Sequence, residues 1–339
     1  MRTVSLSVPA DRLPADTVHR DQLLTRYFAD RVPHSAPDSN GDWKITVGTA
    51  PTADFYIDPR LDEGLRWWGC SVADIPFAHR RTRRAFLSLS DAWTLFSMSH
   101  WLARQSESPS HITIIHVDDH DDLMCPRLGV REQQFTDLIT RRPMLIHDPT
   151  SVADAIETGA VGMGSFLAPL LHTLPSVDIR HLCDTTYART RTGRFWLVRA
   201  TETDELLAPG TQRPATRIVP VVDPSAAPEQ TAGTYQVGPD ETRLLAGIEA
   251  GPILLHIDLD FFNNRFNGDS DWTKHNDRHD PTYDLVIRRV ERLVAELTPL
   301  RHRIVDVEIG ISTGFFPAEL WAPVCDLLID RLAPTNDHA

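Results

Sequence analysis

The chain has 339 residues, 41% hydrophobic and 24% charged, enough length for one large domain or two ordinary ones with a buried core. Lys and Arg number 34 against 47 Asp and Glu; the net charge of -13 argues against nucleic acid or an anionic membrane surface as partner and favours cationic ligands. Its 25 prolines and 17 glycines imply many punctuated elements, short of a disordered or fibrous composition.

In chain order, the start MRTVSLSVPADRLPADT lacks the apolar stretch of a signal peptide, and no window approaches the roughly 20 apolar residues of a membrane span. A soluble cytoplasmic protein is the expectation. Short strands are expected at Trp43–Val47 and Asp54–Ile57, and Trp67-Trp68 reads as an exposed or capping aromatic pair. From about Ser90 the pattern becomes regular. Asp91–Arg104 has helical apolar spacing, with Ser90 or Asp91 placed to cap it. His111–Val117 is a β-branched run suited to a buried strand.

Residues 152–171 read as a strand or turn followed by a helix through Gly164–Leu171. Ile179–Leu182, Phe195–Val198 and Ile218–Val222 are further strand candidates. The stretch 201–240, with six prolines, reads as an irregular insertion. Ile253–Ile257 is a strongly apolar strand, Tyr283–Leu297 an amphipathic helix, Ile304–Ile309 a strand and Pro317–Leu332 a last helix. Strands alternating with helices predict an α/β fold with a mostly parallel sheet. Residues 1–84 are expected to pack as an extension on a core domain spanning 85–335. Cys70, Cys125, Cys183 and Cys325 have no CxxC pair and read as ordinary thiols.

Ligands of such sheets bind at the carboxyl ends of the strands. Two strands here run into acid-rich turns, His116-Val-Asp118-Asp119-His120-Asp121-Asp122 and His256-Ile-Asp258-Leu-Asp260. Carboxylates crowded at a buried strand end repel one another unless a cation compensates them. Alternation puts Asp118, His120 and Asp122 on one side, Asp119 and Asp121 on the other, and Asp258 with Asp260. If the two strands are neighbours, four carboxylates and one imidazole converge. Such a donor set suits Mn²⁺, with Fe²⁺ or Co²⁺ as alternates, over a structural zinc, and its surplus of carboxylates suits two ions that activate a water.

Asp118-x-His120-x-Asp122 and Asp258-x-Asp260 resemble the two metal-binding motifs of the arginase (ureohydrolase) family. The ordered segments HVDDHDDL, GMGSFLAPLL, HIDLDFF and EIGISTGFFP are similar to the arginase-like branch that includes the peptide arginases, over roughly residues 85–330. The resemblance implies a three-layer α/β/α sandwich of the arginase–deacetylase kind and two Mn²⁺ ions, with Asp118 and Asp258 shared between them. It assigns His120 and Asp260 to one ion and Asp122 to the other. It also implies a histidine at the start of the helix before the first motif; here that position falls on or beside Asp91, which reads either as an oxygen ligand or as a helix cap. Glu308, with Asp118 catalytic, would grip the guanidinium, and Ser165, Phe166 and Asn263 would border the substrate.

His147, His172 and His181 are candidates to protonate the leaving amine; His116 and His256, two residues before their aspartates and on the same side, read either as lining the site or hydrogen-bonding behind its ligands or as structural, the structural role being the expectation. The implied activity is hydrolysis of arginine residues in a precursor peptide to ornithine and urea. Alternatives are a free-arginine or agmatine ureohydrolase, a deacetylase-like amidohydrolase, and a non-catalytic binding protein with a degraded metal site. An arginine-containing precursor peptide is the expected partner, not nucleic acid or membrane, and assembly as a homo-oligomer stays open.

Overall fold

A computed structural model describes residues 4–28, 31–48, 56–83, 85–183, 191–275 and 278–332. The elements run β1 (Val4–Val8), α1 (Thr17–Phe28), β2 (Val32–Pro37), β3 (Trp43–Gly48), α2 (Leu61–Trp68), β4 (His79–Arg81), β5 (Phe86–Ser88) and α3 (Trp93–Ala103). They continue with β6 (Ile112–Val117), β7 (Leu128–Arg131), β8 (Gln134–Asp137), β9 (Pro143–Met144), α4 (Pro149–Thr158), α5 (Leu167–Thr173), β10 (Val177–Leu182), β11 (Gly193–Thr203), β12 (Gln212–Pro220) and β13 (Thr231–Gly238). The last are α6 (Glu241–Leu245), β14 (Ile253–Asp258), α7 (Tyr283–Leu297), β15 (Ile304–Gly310) and α8 (Trp321–Leu332).

A nine-stranded sheet in the order β12-β11-β13-β10-β6-β14-β15-β5-β4 dominates the fold. The strands from β13 to β5 in that order are mutually parallel, and β12, β11 and β4 are antiparallel edges. The α/β class with a mostly parallel sheet is therefore observed. The central strands are apolar on both faces, as a doubly covered sheet requires. In β6, Ile112 and Ile114 join a cluster with α3, α4 and α5, while Ile115 and Val117 join a second with α2, α7 and α8. β14 repeats this alternation: Leu254 faces the first cluster and Ile253, Leu255 and Ile257 the second. On the first face the next residues up each strand are His116 then Asp118, and His256 then Asp258, so apolar packing gives way to polar groups at one end of the sheet.

Before residue 85, β1, β3 and β2 form a small antiparallel sheet whose Val8, Ile45 and Val47 share the first cluster with Leu24 and Phe28 of α1. Trp67 and Trp68, at the end of α2, are partly buried and lie under the Arg80 guanidinium. No described helix is long and apolar enough to cross a membrane.

The structure corrects several expected elements. The stretch 201–240 is not an irregular insertion: it carries β12 and β13, and β13 pairs in parallel with β10. Its prolines misled because Pro214 and Pro220 lie on β12, the outermost strand, where a missing N–H costs least. Residues 149–158 are helix, not strand or turn. Asp148 accepts the Thr150 N–H, Pro149 opens the helix and Gly159 closes it in the left-handed conformation (φ 83°). Residues 54 and 55 lie outside the described residues, and Tyr56 and Ile57 are not in a strand.

Gly233 in β13 takes φ 150°, and a β-carbon there would overlap the Val177 carbonyl oxygen of β10. Gly233→Ala is expected to lower the unfolding free energy by at least about 1–3 kcal/mol, read as a shifted urea midpoint.

Candidate metal centre

β6 and β14 are neighbours in parallel register, with His116 opposite His256 and Val117 opposite Ile257. The turns that follow them therefore meet. Three groups of donor atoms form, each within 4.8 Å: Asp118, His120 and Asp260; Asp91, Asp118 and Asp258; and His116, Asp118, Asp122 and His256. Asp118 belongs to all three. The sequence-predicted donors Asp91, Asp118, His120, Asp122, Asp258 and Asp260 are thus brought together.

Local hydrogen bonds shape the turns. β6 ends at Val117, and the Asp118 carboxylate accepts the His120 N–H (2.7 Å), bending the chain as short polar side chains do. Asp122 adopts φ 49°, and Asp258 likewise accepts the Asp260 N–H (3.2 Å). The expected two-sided split holds. His120 lies 3.0 Å from Asp260 and 3.5 Å from Asp118, whereas Asp119 accepts from Asn264 (2.9 Å) and Asp121 pairs with Arg191 (3.2 Å).

Asp91 does not cap α3, whose N-cap residue is Ala92. Its carboxylate turns to the acid cluster, into space open only because residue 310 is glycine: a β-carbon there would overlap Asp91 Oδ1. Gly310 pairs with Asp258 across β15 and β14, so Asp91 reaches the level of that aspartate.

Burial of so many carboxylates shapes their ionisation. Burial, then the charges of Asp260, Asp91 and Asp118, push Asp258 well above the usual carboxylate range. Burial and the Asp118 and Asp91 charges do the same to Asp122. Burial and Asp118 raise Asp260 to about 7, against the pull of His120. Burial would lower His120, but Asp260 and Asp118 outweigh it and raise the imidazole well above its ordinary value. Burial opposes ionisation of Asp91 too, yet its contacts with Asp258 and His256 hold it low. Asp91 Oδ1, Asp118 Oδ2, Asp122 Oδ2, Asp260 Oδ2 and His256 Nε2 are buried with no hydrogen-bond partner. Buried polar atoms are rarely left so, and five converging on one spot, mostly hard oxygens, fit divalent cations.

The remaining predicted residues divide. Ser165 is spent within its turn, its hydroxyl bonded to the Gly162 N–H (2.9 Å) and carbonyl (3.2 Å). Phe166 is fully buried against His116 and His256, with ring centroids 6.3 and 5.2 Å away. Asn263 points its amide to Asp280 and the Pro281 carbonyl; its neighbour Asn264 is the one that reaches the acidic turn at Asp119. His147 is exposed, His172 bonds the Ala215 carbonyl, and His181 meets the Asp118 main chain (3.0 Å), so none of the three faces the carboxylates.

Glu308 departs from its expected place. It pairs with His256, not Asp258, one pleat below the acid cluster, and is 1% exposed. Burial and the adjacent Asp306, itself bound by Arg81 (2.8 Å), push its carboxyl well above the ordinary range. Both of its carboxylate oxygens are buried without a hydrogen-bond partner.

His116 and His256, for which a structural role is the expectation, fall in one donor group with Asp118 and Asp122; reading the sequence missed Ser312, whose hydroxyl donates to Asp258 Oδ2 (3.0 Å). No protein-family model and no curated protein matches the chain.

Carboxyls with raised folded-state pKa cost stability as pH climbs from the unfolded value through the folded one, and His120, also raised, loses its contribution over the same climb. His116 and His181, held low, act oppositely but only below about pH 6.5. Chelator-treated protein is therefore expected to lose Tm between about pH 6.5 and 8, and Mn²⁺ to cancel that loss. An unchanged slope with Mn²⁺ would contradict the site.

Proposed function

We propose that the chain is a metal-dependent hydrolase of guanidino groups, a peptide arginase that converts arginine residues of a precursor peptide to ornithine and urea. The observation that carries the reading is that buried, unpartnered acceptor atoms of Asp91, Asp118, Asp122 and Asp260 fall in three donor groups that share Asp118 at the carboxyl end of the sheet. Mn²⁺ is the ion that this oxygen-rich donor set favours, and the two faces of helix fit a three-layer sandwich.

When bound, a pair of ions supplies Lewis acidity and a water that loses its proton near neutral pH. The chain's residues do the rest. Asp118, common to every donor group, holds the two halves of the site together. Asp122 and Asp260 each bring a buried carboxylate oxygen without a hydrogen-bond partner to the donor groups and would hold the ions. His120 is the half-exposed member and marks the side from which substrate enters. The acidic mouth and the net charge of -13 favour a cationic side chain. The contact between His116 and His256 does not favour a deacetylase-like alternative, because both rings are fully buried.

Mn-loaded protein incubated with an arginine-containing precursor peptide should remove a cyanamide-sized mass per arginine and release urea. Asp118→Ala should lose both metal and turnover. Glu308→Gln should keep both, because Glu308 sits one pleat below the donor groups; its failure to turn over with metal in place would return Glu308 to the guanidinium. Metal-loaded wild type inert towards arginine peptides, arginine and agmatine would overturn the proposal.

A further inference from the structure

His120 is the half-exposed donor of the carboxylate cluster, so the groups around its imidazole line the way in. The Phe315 ring stands edge-to-face against it, with centroids 5.4 Å apart and planes at 79°. Phe315 is itself partly exposed, in a stretch (residues 311–318) that is otherwise buried. Packing of the core does not account for the ring, which joins neither of the two apolar clusters.

Main-chain hydrogen bonds hold the ring in place. Ser312, at φ 54°, opens the turn; its hydroxyl donates to Asp258 Oδ2 (3.0 Å) and its carbonyl accepts the Phe315 N–H (2.9 Å). The Phe266 N–H donates to the Phe315 carbonyl (3.3 Å) and the Gly268 N–H to the Gly314 carbonyl (3.0 Å). The turn is thereby tied both to a carboxylate of the cluster and to the loop that follows the second acidic motif. The ring lies over Gly268, where a β-carbon would press on it at 3.0 Å from Cζ.

A second apolar side chain stands beside the first acidic motif. Met124 is 54% exposed, and it too joins neither apolar cluster. Its sulfur lies 2.8 Å from the place a Gly164 β-carbon would take, and Asp122 Oδ1 lies 3.9 Å from the same point. The Met124 N–H donates to the Gly164 carbonyl (2.8 Å), which fixes the backbone beneath the side chain. Buried acid therefore has exposed hydrocarbon at two of its edges, one beside His120 and one beside Asp122. Carboxylate within and apolar surface without is the complement of a side chain that carries a cationic head on a methylene stem.

We propose that Phe315 and Met124 determine specificity at this mouth: they are the apolar walls along which the stem of a long cationic side chain lies while its head meets the carboxylates. The proposal rests on the guanidino reading above for the cationic head. It adds a selection by length, which carboxylates alone, recognising charge, do not make.

The probes are two synthetic peptides that differ at one residue, arginine in one and 2-amino-3-guanidinopropionate, two methylenes shorter, in the other. Mn-loaded wild type should show a KM for the arginine peptide at least about tenfold below that for the shorter one. Phe315→Ala should erase most of that difference with Mn content unchanged and kcat moved much less than KM, and Phe315→Leu, still apolar, should keep most of it. Met124→Ser, at an exposed position that folding does not depend on, should reduce the difference as well. If wild type releases no urea, the same comparison is made on dissociation constants by calorimetry. A preference for the longer side chain that both variants weaken then keeps this proposal and removes the hydrolase reading. Equal constants for the two peptides in wild type, binding of neither, or a preference that survives in both Phe315→Ala and Met124→Ser overturns it.

Discussion

Buried negative charge is the constraint on which the rest of the molecule turns. Asp91, Asp118, Asp122, Asp258 and Asp260 meet at the carboxyl end of a sheet whose strands β6 and β14 are mostly apolar below them. In that setting each carboxylate loses water and gains like-charged neighbours, and both effects favour the protonated form. The raised ionisation of Asp122, Asp258 and Asp260 is the mark of this cost. A divalent cation reverses the sign of every one of those interactions. The cluster is therefore built for a charge that its own side chains do not supply, His120 being the sole partial compensation that their contacts provide.

The scaffold meets this constraint through register. Because β6 and β14 pair with His116 opposite His256, their acidic turns arrive at the same height, and β15 contributes Gly310 at that height instead of a side chain. The missing β-carbon admits Asp91 from the start of α3. Beneath, the His116 and His256 rings and Phe166 form a floor that is polar towards the carboxylates and apolar towards the core. Along β6 and β14 the arrangement grades from hydrocarbon through imidazole to carboxylate. Two apolar clusters, one on each face, hold the strands at the spacing this needs.

Much of this was legible in the sequence. The apolar runs before Asp118 and Asp258 announced buried strands, whose pairing only the structure supplies, and α7 falls on the residues its 3.6-residue period marked. Asp118, His120, Asp122, Asp258 and Asp260 could be picked out because acid-rich turns after such runs are electrostatically odd. Other features were not legible, for identifiable reasons. The direction of the Asp91 side chain depends on a glycine far along the chain. The place of Glu308 depends on strand register, where one pleat decides between the acid cluster and the layer below. The place of His116 and His256 beside the acidic turns depends on the register of β6 and β14, which no spacing encodes. The first part of β12 was hidden by Pro214, tolerated at a sheet edge, β13 by the proline-rich stretch that precedes it, and α4 by reading Val152 and its neighbours without the Asp148-Pro149 start signal.

The most direct measurement is the metal content of wild-type protein loaded with Mn²⁺ at neutral pH, freed of excess by gel filtration and analysed for its elements. The account expects a pair of ions retained per chain, released by chelator and regained on reloading. Protein that emerges folded with no bound divalent ion, of Mn²⁺, Fe²⁺, Co²⁺ or Zn²⁺ alike, would contradict it.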